Sequence, residues 1–226
     1  NINRLNGVTS ADASAILAHI GAPAPGTILD PYKKVCADVN RSGVINSQDA
    51  TLITQSIAGN PTSLAIFNVF WRFTTTVPAL PVTTQFVVPA INDSKSVPVM
   101  SSDVTGVDFL GMKIGDVAAP WADPQMTPNL PLVWVVQDQT LVAGNEVTLD
   151  FAASNFKDLA AYQMALDFDP SQLQFVGFQP LGAISMNVLD NFGAYNANFG
   201  ELRSVWAEAQ GTTLADGTPV FRAKFK

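Results

Sequence analysis

Apolar positions change their spacing twice along this chain. Between residues 8 and 58 they recur three and four apart, with Ile16, Leu17 and Ile20 in one run and Leu52, Ile53 and Ile57 in another. That spacing lines one face of a helix. Gly21 and Gly59 close the two runs, each with a proline two residues on, as at helix C-termini. Past residue 60 the pattern shortens. Phe67, Val69, Trp71 and Phe73 alternate with other residues, and Pro78, Pro81, Pro89 and Pro98 then break the chain. This predicts short strands and ordered loops over 60–118 that pack back on the helices. Residues 119–131 hold four prolines and read as a linker. From 132 to 226 the alternation is that of strands, over 133–136, 147–151, 162–168, 173–176, 204–207 and 220–225. Turn residues separate them at intervals that suit a two-sheet sandwich. The expected class is multidomain α+β, helical first and all-β last.

The helical part repeats itself. Residues 8–17 are answered by 45–54, each copy an apolar residue, an Asp four places later and a short amphipathic helix. Ahead of the second copy, Asp38-Val39-Asn40-Arg41-Ser42-Gly43-Val44-Ile45-Asn46-Ser47-Gln48-Asp49 has the spacing of a 12-residue calcium loop. Calcium is a hard ion that takes six to eight oxygens. Asp38, Asn40 and Ser42 fill the first, third and fifth positions, Val44 offers its carbonyl, and Asp49 closes the loop. Asn46 acts directly or through water, and Gly43 stands where a positive φ is needed. Ile45 fills the apolar position through which paired loops join.

The equivalent first loop runs from Asn1 to Asp12. Its ligands would be Asn1, Asn3, the carbonyls of Leu5 and Gly7, and Asp12, with Asn6 at the sharp turn. It has one carboxylate against two, so it is the weaker site or an empty one. One calcium ion is therefore expected in the second loop, and a second ion is left open.

Composition narrows the classes. The net charge is −7 with a pI near 4.5, which argues against nucleic acid, whose binding needs a basic face. No apolar run is long enough to insert in a membrane. The single cysteine, Cys36, allows no intrachain disulfide and reads as a small core residue. With His19 the only histidine, a zinc site or serine triad lacks its parts, and His19 reads as surface or packing. Asp167 and Asp169 would suit a glycosidase pair, but Asp169 precedes Pro170-Ser171 and reads as a turn. Trp71 and Trp206 fit core positions, while Trp121 and Trp134 flank the linker and could join the modules. No enzyme is expected.

Two loop–helix units in tandem, with Asp at the twelfth position, resemble a dockerin domain over 1–59. Residues 32–40, Trp71-Arg72-Phe73 and Met112-Lys113-Ile114-Gly115-Asp116-Val117 are similar to an extended form of that module found in large bacterial surface proteins. Residues 142–147 and 161–175 resemble a cohesin-type sandwich, a fold shared with carbohydrate-binding modules. A cohesin would continue past Phe225, so the sandwich reads as truncated and both chain ends as cut. The resemblance implies an extracellular, cell-surface setting and a structural or adhesive role. Partners would be other modules of the same protein, neighbouring copies, or carbohydrate. Dockerins meet cohesins through loop positions ten and eleven, usually Ser-Thr; here these hold Ser10-Ala11 and Ser47-Gln48.

Overall fold

The computed structural model describes residues 5–76, 78–96, 108–118 and 131–226. The chain is mixed α+β. Asn1, Asn3, Trp121 and most of the Pro-rich stretch lie outside the described residues.

Helix α1 (Ser10–Gly21) opens on Thr9, whose N–H donates to Asp12 Oδ2 at 2.7 Å. Helix α2 (Pro31–Ala37) starts on Asp30, which accepts from Tyr32 N–H, with Pro31 in the first turn. Helix α3 (Ser47–Ile57) is capped by Asn46, with Asp49 answering as the third helical residue. Helix α4 (Pro61–Ile66) stands where the sequence suggested strands. Its start is an Asn-Pro signal, in which Asn60 Oδ1 accepts from Thr62 and Ser63 N–H. Strands β1 (Trp71–Thr75) and β2 (Phe109–Lys113) then pair antiparallel, Trp71 opposite Lys113 and Phe73 opposite Gly111.

One core joins these pieces. Val8, Ile16, Val35, Cys36, Ile45 and Ile53 from the helical part pack with Phe67, Met112, Ile114 and Val117. The described residues between 60 and 118 therefore complete the core of the helices. Burial pushes the Cys36 thiol up to about 12, with Lys33 acting against it, so it sits there as an inert apolar group.

His19 corrects the surface alternative, because it is fully buried. Its Nδ1 accepts from Thr27 and Ile28 N–H, and Nε2 faces the Gln85 carbonyl at 2.6 Å. That geometry requires the tautomer protonated on Nε2.

The second core belongs to strands β3 (Val133–Val135), β4 (Val147–Ser154), β5 (Leu159–Asp167), β6 (Phe175–Pro180), β7 (Phe192–Gly193), β8 (Glu201–Thr212) and β9 (Thr218–Phe225). A four-residue helix, α5 (Val188–Asn191), leads into β7. The strands form two antiparallel sheets ordered β3-β4-β9-β6 and β5-β8-β7. Rings from both sheets meet between them, Trp134 on Tyr162 and Phe178 on Phe192, around buried Trp206 and Phe221. Trp134 thus packs inside this core and does not bridge to the helices. Asp169 initiates its turn, accepting from Ser171 N–H and Oγ.

The helices lie on the outer face of the three-stranded sheet. Ser14 Oγ donates to Glu208 O at 2.6 Å, Ser10 N–H to Gln163 Oε1 at 3.2 Å, and Arg203 Nη1 to Ile57 O at 3.2 Å. At one point of this contact two backbones approach closely. A Cβ placed on Gly193 would stand 1.7 Å from Ala58 O.

Candidate metal centre

The second loop is held open by its own carboxylates. Asp38 Oδ1 accepts from Ser42 N–H at 2.8 Å and Oδ2 from Gly43 N–H at 2.9 Å. Gly43, at φ +84°, makes the turn that brings Val44 back, and Arg41 precedes it at φ +61°. Asn40 Oδ1 accepts from Ser42 N–H, and Ser42 Oγ lies 3.1 Å from the Val44 carbonyl. Asp49 reaches back from α3 to accept from Asn40 N–H at 3.2 Å and Asn46 N–H at 3.0 Å. Asp38, Asn40, Ser42, Val44 and Asp49 thus belong to one hydrogen-bonded loop.

The electrostatics fit a cation. Asp38 is 1 % exposed and Asp49 0 % exposed, and neither makes an ion pair among the described residues. Burial raises the Asp49 carboxyl to about 6; the charge of Asp38 acts the same way, and backbone N–H bonds act against both. Two like charges buried together are destabilising unless a counter-charge meets them. Among the described residues no group of three or more His, Cys, Asp and Glu assembles. The set here is two carboxylates plus amide, hydroxyl and carbonyl oxygens, which suits a hard, oxygen-seeking ion and offers no soft ligand.

A clasp that sequence reasoning missed braces this loop. Ile45 N–H donates to Phe86 O at 2.8 Å, Val88 N–H to Gly43 O at 3.1 Å, and Val44 pairs with Val87. The backbone of the second loop is thus paired by residues 86–88, while the Ile45 side chain shares a core with Val8 of the first loop. Lys34, buried on α2, anchors the clasp by donating to the Thr83 and Thr84 carbonyls at 2.9 and 2.8 Å. Gln85 ties it to α1 through the carbonyls of His19 and Ala22. The only hint in the sequence is the apolar triplet Phe86-Val87-Val88 between Pro81 and Pro89.

The first loop is built differently. Its left-handed turn falls on Gly7, at φ +87°, and not on Asn6. The Leu5 carbonyl accepts from Val8 N–H within a turn. Asp12 Oδ2 is taken by Thr9, and Oδ1 accepts from Val117 and Ala118 N–H at 2.7 and 2.8 Å. In the second loop the corresponding side of Asp49 faces Asn40 in the loop itself. Asp12, expected to close a calcium loop, instead fastens the end of the β1–β2 region to α1.

Comparison with protein-family models, with curated protein sequences and with solved structures returns no match.

Proposed function

We propose that this chain is a non-enzymatic, calcium-stabilised segment of an extracellular bacterial surface or filament protein, with a dockerin-like module seated on a cohesin-like two-sheet unit. The observation that carries the reading is the buried Asp38–Asp49 pair, which lacks a cationic partner among the described residues. Asp38, Asn40, Ser42, the Val44 carbonyl and Asp49 would hold the ion. The ion would supply the counter-charge that lets both carboxylates stay ionised in the core. Among the described residues no helix is long and apolar enough to cross a membrane. The lone histidine has both ring nitrogens engaged by backbone groups, which supports a structural role for His19. The helices, the clasp and the sheets form a braced unit suited to a stiff spacer.

Calcium affinity should depend on pH. A carboxyl whose pKa rises on folding stabilises the fold fully below its unfolded pKa and loses that contribution as pH climbs through about 6. Calcium needs the ionised form, so binding opposes this loss and strengthens with pH until Asp49 is deprotonated. Calorimetric titration at pH 7 and pH 5 should show affinity about tenfold weaker at pH 5. Equal affinities would remove Asp49 from the site.

A second reading is assembly between copies. It is favoured by the seating of α1 on β5 and β8 within the chain, where Ser10, at loop position ten, meets Gln163. The same surfaces could be exchanged head to tail between neighbours. Light scattering in calcium and in EDTA decides it: a calcium-dependent increase in mass supports exchange, and a constant monomer mass removes it.

A further inference from the structure

The sequence pattern places Trp71 in the core, yet the residue is 46 % exposed, and Phe73 beside it is 50 % exposed. The two rings lie 6.5 Å apart, centroid to centroid, and only 25° from parallel. Their flatness has a cause in β2. Gly111 sits opposite Phe73, and a Cβ there would stand 3.2 Å from the Phe73 ring and 3.5 Å from Trp71. Without that Cβ, both rings settle over the strand and turn a shared apolar surface outward.

A cleft of about 270 Å³ begins at Trp71 and runs to the start of α2. Its polar wall is formed by Asp30, Tyr32, Lys33, Lys113 and Asp116. Lys33 is held near Asp116, at 3.7 Å. Asp30 Oδ1 caps α2, and its other carboxylate oxygen has no hydrogen-bond partner among the described residues. Burial lowers the Lys113 pKa.

We propose that the Trp71–Phe73 surface and this cleft bind a neutral saccharide. Apolar ring faces beside a few convergent donors and acceptors are the composition of a small-ligand site. Charge selects among occupants. Two carboxylates and two ammonium groups balance, so the cleft favours a ligand without net charge, and the acidic chain repels polyanions. An apolar protein surface laid over the cleft would desolvate two carboxylates and two ammonium groups, of which Lys33 and Asp116 are paired with each other, at a large cost. A sugar presents C–H faces to the rings and hydroxyls that donate to Asp30 and Asp116 and accept from Lys113, while Lys33 Nζ already donates to the Asp116 and Ala118 carbonyls. This site is separate from the calcium loop.

The test is gel retardation of the whole chain by soluble hydroxyethyl cellulose, xylan, galactomannan, laminarin and dextran. It is followed by calorimetry with the matching hexasaccharide. Retardation by at least one neutral polymer is expected. Trp71→Ala and Phe73→Ala should each weaken that binding about tenfold or more. Both positions are exposed, so melting temperatures should stay within about 2 °C of the parent. Asp30→Asn keeps the helix cap and should also weaken binding. The proposal is overturned if none of the five polymers retards the chain, or if binding survives Trp71→Ala. It is equally overturned if dextran sulfate is preferred, or if Trp71→Ala dissolves a dimer and leaves retardation unchanged.

Discussion

Gly193→Ala is expected to lower the melting temperature by about 6 °C or more. The added Cβ would stand 1.7 Å from the Ala58 carbonyl oxygen and 2.7 Å from its carbon. Both are backbone atoms at the end of α3, so no side-chain rotation relieves the overlap. Either β7 leaves its sheet or the helices lift from it. Overpacking of this kind costs about 3 kcal/mol. In a chain of this length each kcal/mol shifts the midpoint by about 2–4 °C. Gly177→Ala is the matched control, because nothing lies within 4 Å of a Cβ there. Differential scanning calorimetry of the two variants checks the prediction. Equal midpoints would mean that α3 does not rest on β7.

Asp38→Ala and Asp49→Ala should each weaken calcium binding by about a hundredfold, measured by calorimetric titration. Each removes half of the negative charge in the loop together with the N–H acceptor that shapes it. Asp12→Asn should behave differently. Its carboxylate serves Thr9, Val117 and Ala118, so its loss should lower stability by about 2 kcal/mol, equally with and without calcium. If Asp12→Asn reduced the number of bound ions, the first loop would be a metal site after all.

The contrast between the two loops marks how far the sequence could be read. Asp38 to Asp49 is a local motif, and the hydrogen bonds accepted by its two carboxylates all come from within the 12 residues. The strands from β3 onward, other than the two-residue β7, were legible for a similar reason, since alternation of Phe151, Tyr162 or Phe221 with outward residues follows from having one buried face. Asp12 has the same spacing as Asp49, and its different role depends on residues 117 and 118, more than a hundred positions away. His19 is buried because Gln85 and the turn at 27–28 enclose it. Trp71 reads as core by alternation, but β1 and β2 form a two-stranded sheet whose outer face nothing else among the described residues covers. Helix α4 is the exception. Its Asn60-Pro61 start was present in the sequence, where Pro61 reads as the proline that follows the Gly59 stop.

The central claim is that the buried Asp38–Asp49 pair is satisfied by calcium. A thermal melt of the whole chain in millimolar calcium and in excess EDTA, with metal counted by mass spectrometry, tests it most directly. An ion held only by the folded state stabilises it by about 2.7 kcal/mol at a hundred times its dissociation constant. That corresponds to a rise in midpoint of about 5–10 °C, with one ion per chain. Identical melts and no bound ion would contradict the account, and two ions per chain would contradict the role given to Asp12.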